Sequence, residues 1–204
     1  YKKISFLNLK DNKDILIFPT VYSFQDNAYD LTLKKNNHPY LDQNYDFFQH
    51  LNQKNKNNSI VKLFRVKGFE RNKKIWKNKF NNINLAKEHS LNVYFYKARL
   101  VVLNDISTPL YELMYIGIPF IIITDIKFES FNAEFVKKLK KIKKLNILYR
   151  CPIKAAKFVN KNYDEIVDWW QTISKKESFD KNKRTLFSSK KNYIRSITKE
   201  LITI

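Results

Sequence analysis

Ser107, Thr108 and Glu112 put two hydroxyls and a carboxylate on one short stretch of the chain. Hydroxyls at the start of a helix stand beside its free N–H groups and its positive dipole end, a combination that favours a phosphate. A carboxylate about one turn further in would accept hydrogen bonds from ribose hydroxyls, as acidic residues do in other nucleotide folds. A plainer role fits the same residues: Ser107 or Thr108 caps the helix and Glu112 complements its dipole. The residue types leave both roles open. A second group comprises Lys62, Arg65 and Thr20. Lys62 lies within the apolar run 60–64 and Arg65 at its carboxyl end, so their cations would reach a phosphate from the side opposite the Ser107–Thr108 turn, or else be solvated. Thr20 follows the run DILIF and Pro19, again at the carboxyl end of a strand.

The elements that must hold these residues are legible around them. Residues 98–125, ARLVVLNDISTPLYELMYIGIPFIIITD, read as strand, tight turn, helix, turn, strand. Asn104, Asp105, Ser107 and Thr108 are turn and N-cap types, and Pro109 falls where a first helical turn accepts proline. Gly117 ends the helix and Pro119 blocks its continuation. Both strands are apolar without alternation, which predicts burial on both faces in a parallel sheet. A βαβ unit of this kind has a right-handed crossover, and its first turn lies where open α/β sheets bind ligands.

The rest of the chain extends the pattern. Residues 1–10 have alternating character and suit an edge strand or the tail of a linker. DILIF, residues 14–18, is a buried strand. Residues 21–39 form a long polar loop with several aromatics, which would overhang the ligand crevice. Leu41, Tyr45, Phe48 and Leu51 share a helical face, and QKNKNNS, residues 53–59, is a polar connector. Residues 70–80 are a charged segment anchored by Trp76 and Phe80. Residues 83–85 are a short strand and 90–97 a short helix. Residues 133–144 form a helix with a lysine-rich outer face, of a kind that can lie on an anionic membrane or be solvated. Residues 146–149 are the last strand, Pro152 opens a further helix, and Ile166, Val167, Trp169 and Trp170 pack another. Alternating strands and helices imply a doubly wound parallel α/β sheet over residues 1–174, with a helical tail at 175–204.

Composition narrows the function. The chain has 204 residues, enough for one domain with its own core, and begins at Tyr1 rather than Met, as a piece of a longer chain would. Lys+Arg minus Asp+Glu is 39 − 19, or +20. This suits anionic partners, although lysine outnumbers arginine and Asn, Ile, Phe and Tyr are abundant, as A/T-rich codons alone would produce. With only Gly68 and Gly117, GxGxxG, the Walker A loop and GxSxG are absent, which disfavours an NAD site, a P-loop NTPase and an α/β-hydrolase. No DxD pair and no Cys/His cluster of zinc spacing occurs, so neither a metal nor a cofactor is expected. Nucleic-acid binding lacks a motif. No run approaches a membrane span, and the lone Cys151 suits a reducing compartment, so a cytoplasmic protein is expected, with peripheral contact at the inner membrane face.

Four stretches carry a family resemblance: DILIFPT with YLDQNYDFFQHL; SIVKLFRVKGFERNKKIW; RLVV followed by Thr108, Glu112 and Pro119-Phe120-Ile121-Ile122; and AAKFVNKNYDEIVDWW. Their order and spacing resemble the C-terminal half of transferases of bacterial surface carbohydrate synthesis, which are similar to GT-B glycosyltransferases of two Rossmann-like halves. The resemblance implies a donor-binding half that takes a nucleotide-sugar, with Ser107 and Thr108 at its phosphates, Glu112 at its ribose and Lys62 on the second strand. It implies a metal-independent transfer to a surface-polysaccharide or lipid-linked acceptor, with an acceptor half beyond this chain supplying the base; no catalytic residue is assigned. Transfer of a phosphopolyol from a CDP-linked donor, or a non-catalytic module pairing with a separate acceptor chain, are the alternatives. The turn Asn104-Asp105-Ile106-Ser107 departs from the family in having no glycine, and Asp105 would repel a diphosphate unless turned away.

Overall fold

A computed structural model describes residues 6–19, 39–64, 69–88, 90–124, 136 and 145–176. Six strands form one sheet: β1 (Asp14–Phe18), β2 (Ser59–Val61), β3 (Asn84–Leu85), β4 (Ala98–Leu103), β5 (Phe120–Ile123) and β6 (Leu148–Tyr149). Their spatial order is β3-β2-β1-β4-β5-β6, and every pairing is parallel. This is the doubly wound, Rossmann-like order expected from the alternation of elements. The central strands are buried along nearly their whole length, β5 at every residue, as apolar runs without alternation require.

The helices are α1 (Phe6–Asp11), α2 (Pro39–Gln49), α3 (Gln53–Asn57), α4 (Phe69–Lys79), α5 (Leu91–Phe95), α6 (Thr108–Ile116), α7 (Pro152–Asn162) and α8 (Ile166–Ser174), with a single 3₁₀ turn, Tyr163–Glu165, between the last two. Three local expectations need correction. The segment 1–10 contains helix α1 rather than an edge strand, because Leu9 packs fully into the core from a helical turn and overrides the weak alternation. The polar connector 53–59 is largely helix α3, nucleated by the Asn52 side chain accepting the Asn55 N–H. The second strand stops at Val61, so Lys62 follows it rather than lying inside it. The loop at 20–38, Thr20, Arg65, the lysine-rich helix at 133–144 apart from Val136, and the tail from 177 lie outside the described residues.

Two polar staples hold the amino-end side of the sheet. The Arg99 guanidinium, on β4, donates to the carbonyls of Lys10 (2.6 Å), Asn12 (3.2 Å), Tyr163 (3.2 Å) and Asp164 (2.6 Å). One planar fork thus ties the end of α1, the central strand and the α7–α8 corner together. The Tyr163 hydroxyl donates in turn to the Lys13 carbonyl and accepts from Asn58 Nδ2. Burial pushes the ionisation of Tyr163 upward, partly offset by Arg99. Asn160 does the same work one turn earlier: its carbonyl oxygen accepts from the Asn52 N–H and from Asn55 Nδ2, and its amide donates to the His50 carbonyl. On the flank, Trp76 is fully buried among Tyr45, Phe48 and Phe80, with ring centroids 4.7, 6.0 and 5.5 Å away, which locks α4 against α2.

Removing the fork leaves four carbonyls without their donor. Arg99→Ala should lower unfolding stability by about 2–4 kcal/mol, with Arg99→Lys recovering only part of it, because a point ammonium cannot reach all four acceptors. Urea unfolding midpoints check this; a loss under about 0.5 kcal/mol would place the carbonyls in solvent contact instead.

Candidate functional site at the carboxyl edge of the sheet

β1 and β4 are neighbours, yet the chain leaves them in opposite lateral directions, toward β2 from one and toward β5 from the other. Such a reversal opens a crevice outside the carboxyl ends of the two strands. Phe18 pairs with Leu103, so Pro19 and Asn104 stand side by side at that edge. Asn104 is fully buried and begins the turn into α6.

The turn into α6 holds Ser107, Thr108 and Asp105 together at its start. Ser107 occupies the N-cap position of α6 in extended backbone, with no side-chain cap bond. Its hydroxyl donates instead to Asp105 Oδ1 at 2.9 Å. Asp105 is therefore not turned away: it is held beside the helix mouth by the residue expected to meet a phosphate. The mouth also offers few free amides. Pro109 has no N–H, and the Leu110 N–H donates to the Ser107 carbonyl at 3.0 Å. The Thr108 amide and hydroxyl remain, and Thr108 is exposed. Glu112 is half-buried on α6 and accepts no hydrogen bond from any described residue. The far end of α6 is pinned: Gly117 adopts a left-handed conformation with φ 91°, and Trp170 Nε1 donates to its carbonyl at 2.9 Å.

Lys62 stands two strands from β4, roughly 10 Å away laterally. Its backbone N–H donates to the Ile17 carbonyl at 2.9 Å, and its side chain is 6% exposed and engaged in its own contacts, a fixed part of the edge. Ser107, Thr108 and Glu112 thus share one strand–helix unit, and Lys62 joins them only as a neighbour along the rim. Further along, Thr124 at the end of β5 is fully buried with its hydroxyl unpartnered among the described residues. The Tyr149 hydroxyl at the end of β6 is likewise unpartnered, and burial drives its ionisation far upward, which rules it out as a base near neutral pH. Thr124 and Tyr149 carry no motif that sequence reasoning detects; only strand pairing brings their hydroxyls to this edge. Among the described residues no group of His, Cys, Asp or Glu is arranged to hold a metal ion.

A six-stranded parallel sheet with a switch point between β1 and β4 defines a Rossmann-like α/β protein, an architecture that in general receives ligands at this edge. The family model of LIC12162 family transferases matches residues 2–201, and the chain belongs to that family. A transferase activity is therefore the function its family carries. No curated protein and no solved structure matches the chain.

The Asp105 carboxylate opposes any anion at the mouth, while the Ser107 hydroxyl needs only an acceptor oxygen. Asp105→Asn keeps the oxygen and removes the charge. It should tighten pyrophosphate or nucleoside diphosphate binding about threefold to fivefold at low salt, read by calorimetric titration. Unchanged or weaker binding would show that no anion sits beside Asp105.

Proposed function

We propose that the chain is the donor-binding part of a GT-B-like glycosyltransferase, taking a nucleotide-sugar in the crevice between β1 and β4. The observation that carries this reading is the β1/β4 switch point with α6 opening onto it; Glu112, half-buried in the second turn of α6, has no hydrogen-bond partner among the described residues. The family match supports transfer chemistry, and the positive end of α6 with the exposed Thr108 supports a phosphorylated donor despite the nearby Asp105 carboxylate.

In this reading the Thr108 amide, its hydroxyl and the positive end of α6 face the donor phosphates, and Glu112 accepts from the ribose hydroxyls. As the bond between the sugar's anomeric carbon and the phosphate oxygen breaks, the electron pair passes to the nucleoside diphosphate. The new bond forms to the acceptor hydroxyl oxygen, whose proton leaves to a base contributed from an acceptor-binding half. Preorganised donors at the helix mouth stabilise the charge that builds on the leaving phosphate. Lys62 adds to the field at the rim from its buried position.

Saturating nucleoside diphosphate should slow amide exchange over residues 107–116, and Glu112→Ala should weaken nucleoside diphosphate binding by about tenfold while leaving pyrophosphate binding unchanged. Hydrogen exchange with and without ligand, and the two titrations, check both. A loss shared equally between the nucleotide and pyrophosphate would remove Glu112 from the ribose; unaltered exchange at 107–116 with every nucleotide would remove the donor from this crevice.

A further inference from the structure

A second cavity opens at the same edge of the sheet, beyond the crevice, where β2 and β3 end. Its volume is about 650 Å³. Val61 and Leu63 line its floor, with Leu85 from β3 and the Phe69 ring from the first turn of α4. The rim is cationic. Phe69, Lys73 and Lys77 recur at four-residue steps, so one stripe of α4 brings a ring and two ammonium groups to the opening. Lys73 lies over the Phe69 ring at 5.8 Å and pairs with Glu70 at 3.3 Å, an exposed and therefore weak pair. Lys77 makes no hydrogen bond or ion pair with a described residue. Glu70 is the sole acidic residue on the lining. The helix continues this bias outside the cavity with Arg71, Lys74 and Lys79.

We propose that this cavity binds a phosphorylated small molecule with an apolar body, the apolar part against Val61, Leu63, Phe69 and Leu85 and the phosphate against Lys73 and Lys77. An apolar floor alone would accept a neutral ligand, and a lysine rim alone would accept any anion. Bringing the two together around one cavity selects ligands that carry both. Carboxyl-edge cavities are where α/β sheets receive ligands, and this one lies on the side of β1 away from β4, so its occupant sits alongside the crevice rather than in it. The proposal does not depend on a nucleotide-sugar at Ser107–Thr108.

The test uses the full chain and three probes: phenyl phosphate, octyl phosphate below its micelle concentration, and inorganic phosphate. Binding is read by calorimetry and by amide shifts at residues 84–87. One or both organic phosphates should bind at least about fivefold tighter than inorganic phosphate and shift those amides. Preference for the phenyl ester would mark a ring-bearing ligand such as a nucleotide, and preference for the octyl ester a lipid phosphate. Lys77→Glu should weaken binding about fivefold, Lys74→Glu on the same helix but off the lining should leave it within about twofold, and Glu70→Gln should tighten it. Equal losses from Lys74→Glu and Lys77→Glu would reduce the effect to general charge and overturn the proposal. So would inorganic phosphate binding as well as the esters, or no shift at 84–87.

Discussion

The parallel pairing of β1 with β4 is the constraint on which the rest of the structure depends. These two strands are distant in sequence, and their register, Ile15 with Leu100 through Phe18 with Leu103, decides where every carboxyl-end residue falls. A shift of one residue would carry Leu100 to Leu103 to opposite faces and force fully buried side chains of different shape to repack on both sides of the sheet. The pairing also creates the crevice, since the two strands send the chain apart on either side. The hydrophobic burial that fixes the sheet therefore also sets the start of α6 beside the end of β1.

Stability and chemistry are divided between the two ends of the strands. At the amino side, Arg99, Tyr163, Asn58 and Asn160 spend nearly all their hydrogen-bonding capacity on backbone and neighbouring side chains. At the carboxyl side, Glu112, the Thr124 hydroxyl and the Tyr149 hydroxyl have no hydrogen-bond partner among the described residues. Leaving a buried polar group unpaired costs about 1–3 kcal/mol, so the Thr124 and Tyr149 hydroxyls call for a ligand, a water or a neighbour to complete them, as do the Asn55 and Asn72 side chains on the flanking helices. Asp105 adds a tension of its own. It accepts the Ser107 hydroxyl and sets a negative charge beside the positive end of α6, which the helix dipole favours and a second anion would oppose.

Much of this was legible in the residues, for identifiable reasons. ILIF, after Asp14 in β1, and FIII in β5 are unbroken apolar runs, and Pro109 and Gly117 punctuate α6 with little ambiguity, so the βαβ unit and the parallel sheet could be read directly. Helix α1 was missed because one buried Leu9 decides it, and α3 because its stability comes from the Asn52 cap and from Asn160, 108 residues away from Asn52. At the site, the types and spacing of Ser107, Thr108 and Glu112 were visible, but the Ser107–Asp105 bond was not, since either hydroxyl acceptor geometry fits the same four-residue turn. The stripe of Phe69, Lys73 and Lys77 had a signal in its four-residue spacing, masked by the surrounding lysines that a basic chain scatters everywhere.

A crystal structure of the chain with a bound nucleoside diphosphate tests the central claim most directly, because it reports where the phosphates lie. The account predicts phosphate oxygens within hydrogen-bond reach of the Thr108 amide, over the ends of β1 and β4, with the ribose toward Glu112. Phosphates seated on another edge of the sheet, with the mouth of α6 filled only by solvent, would contradict it.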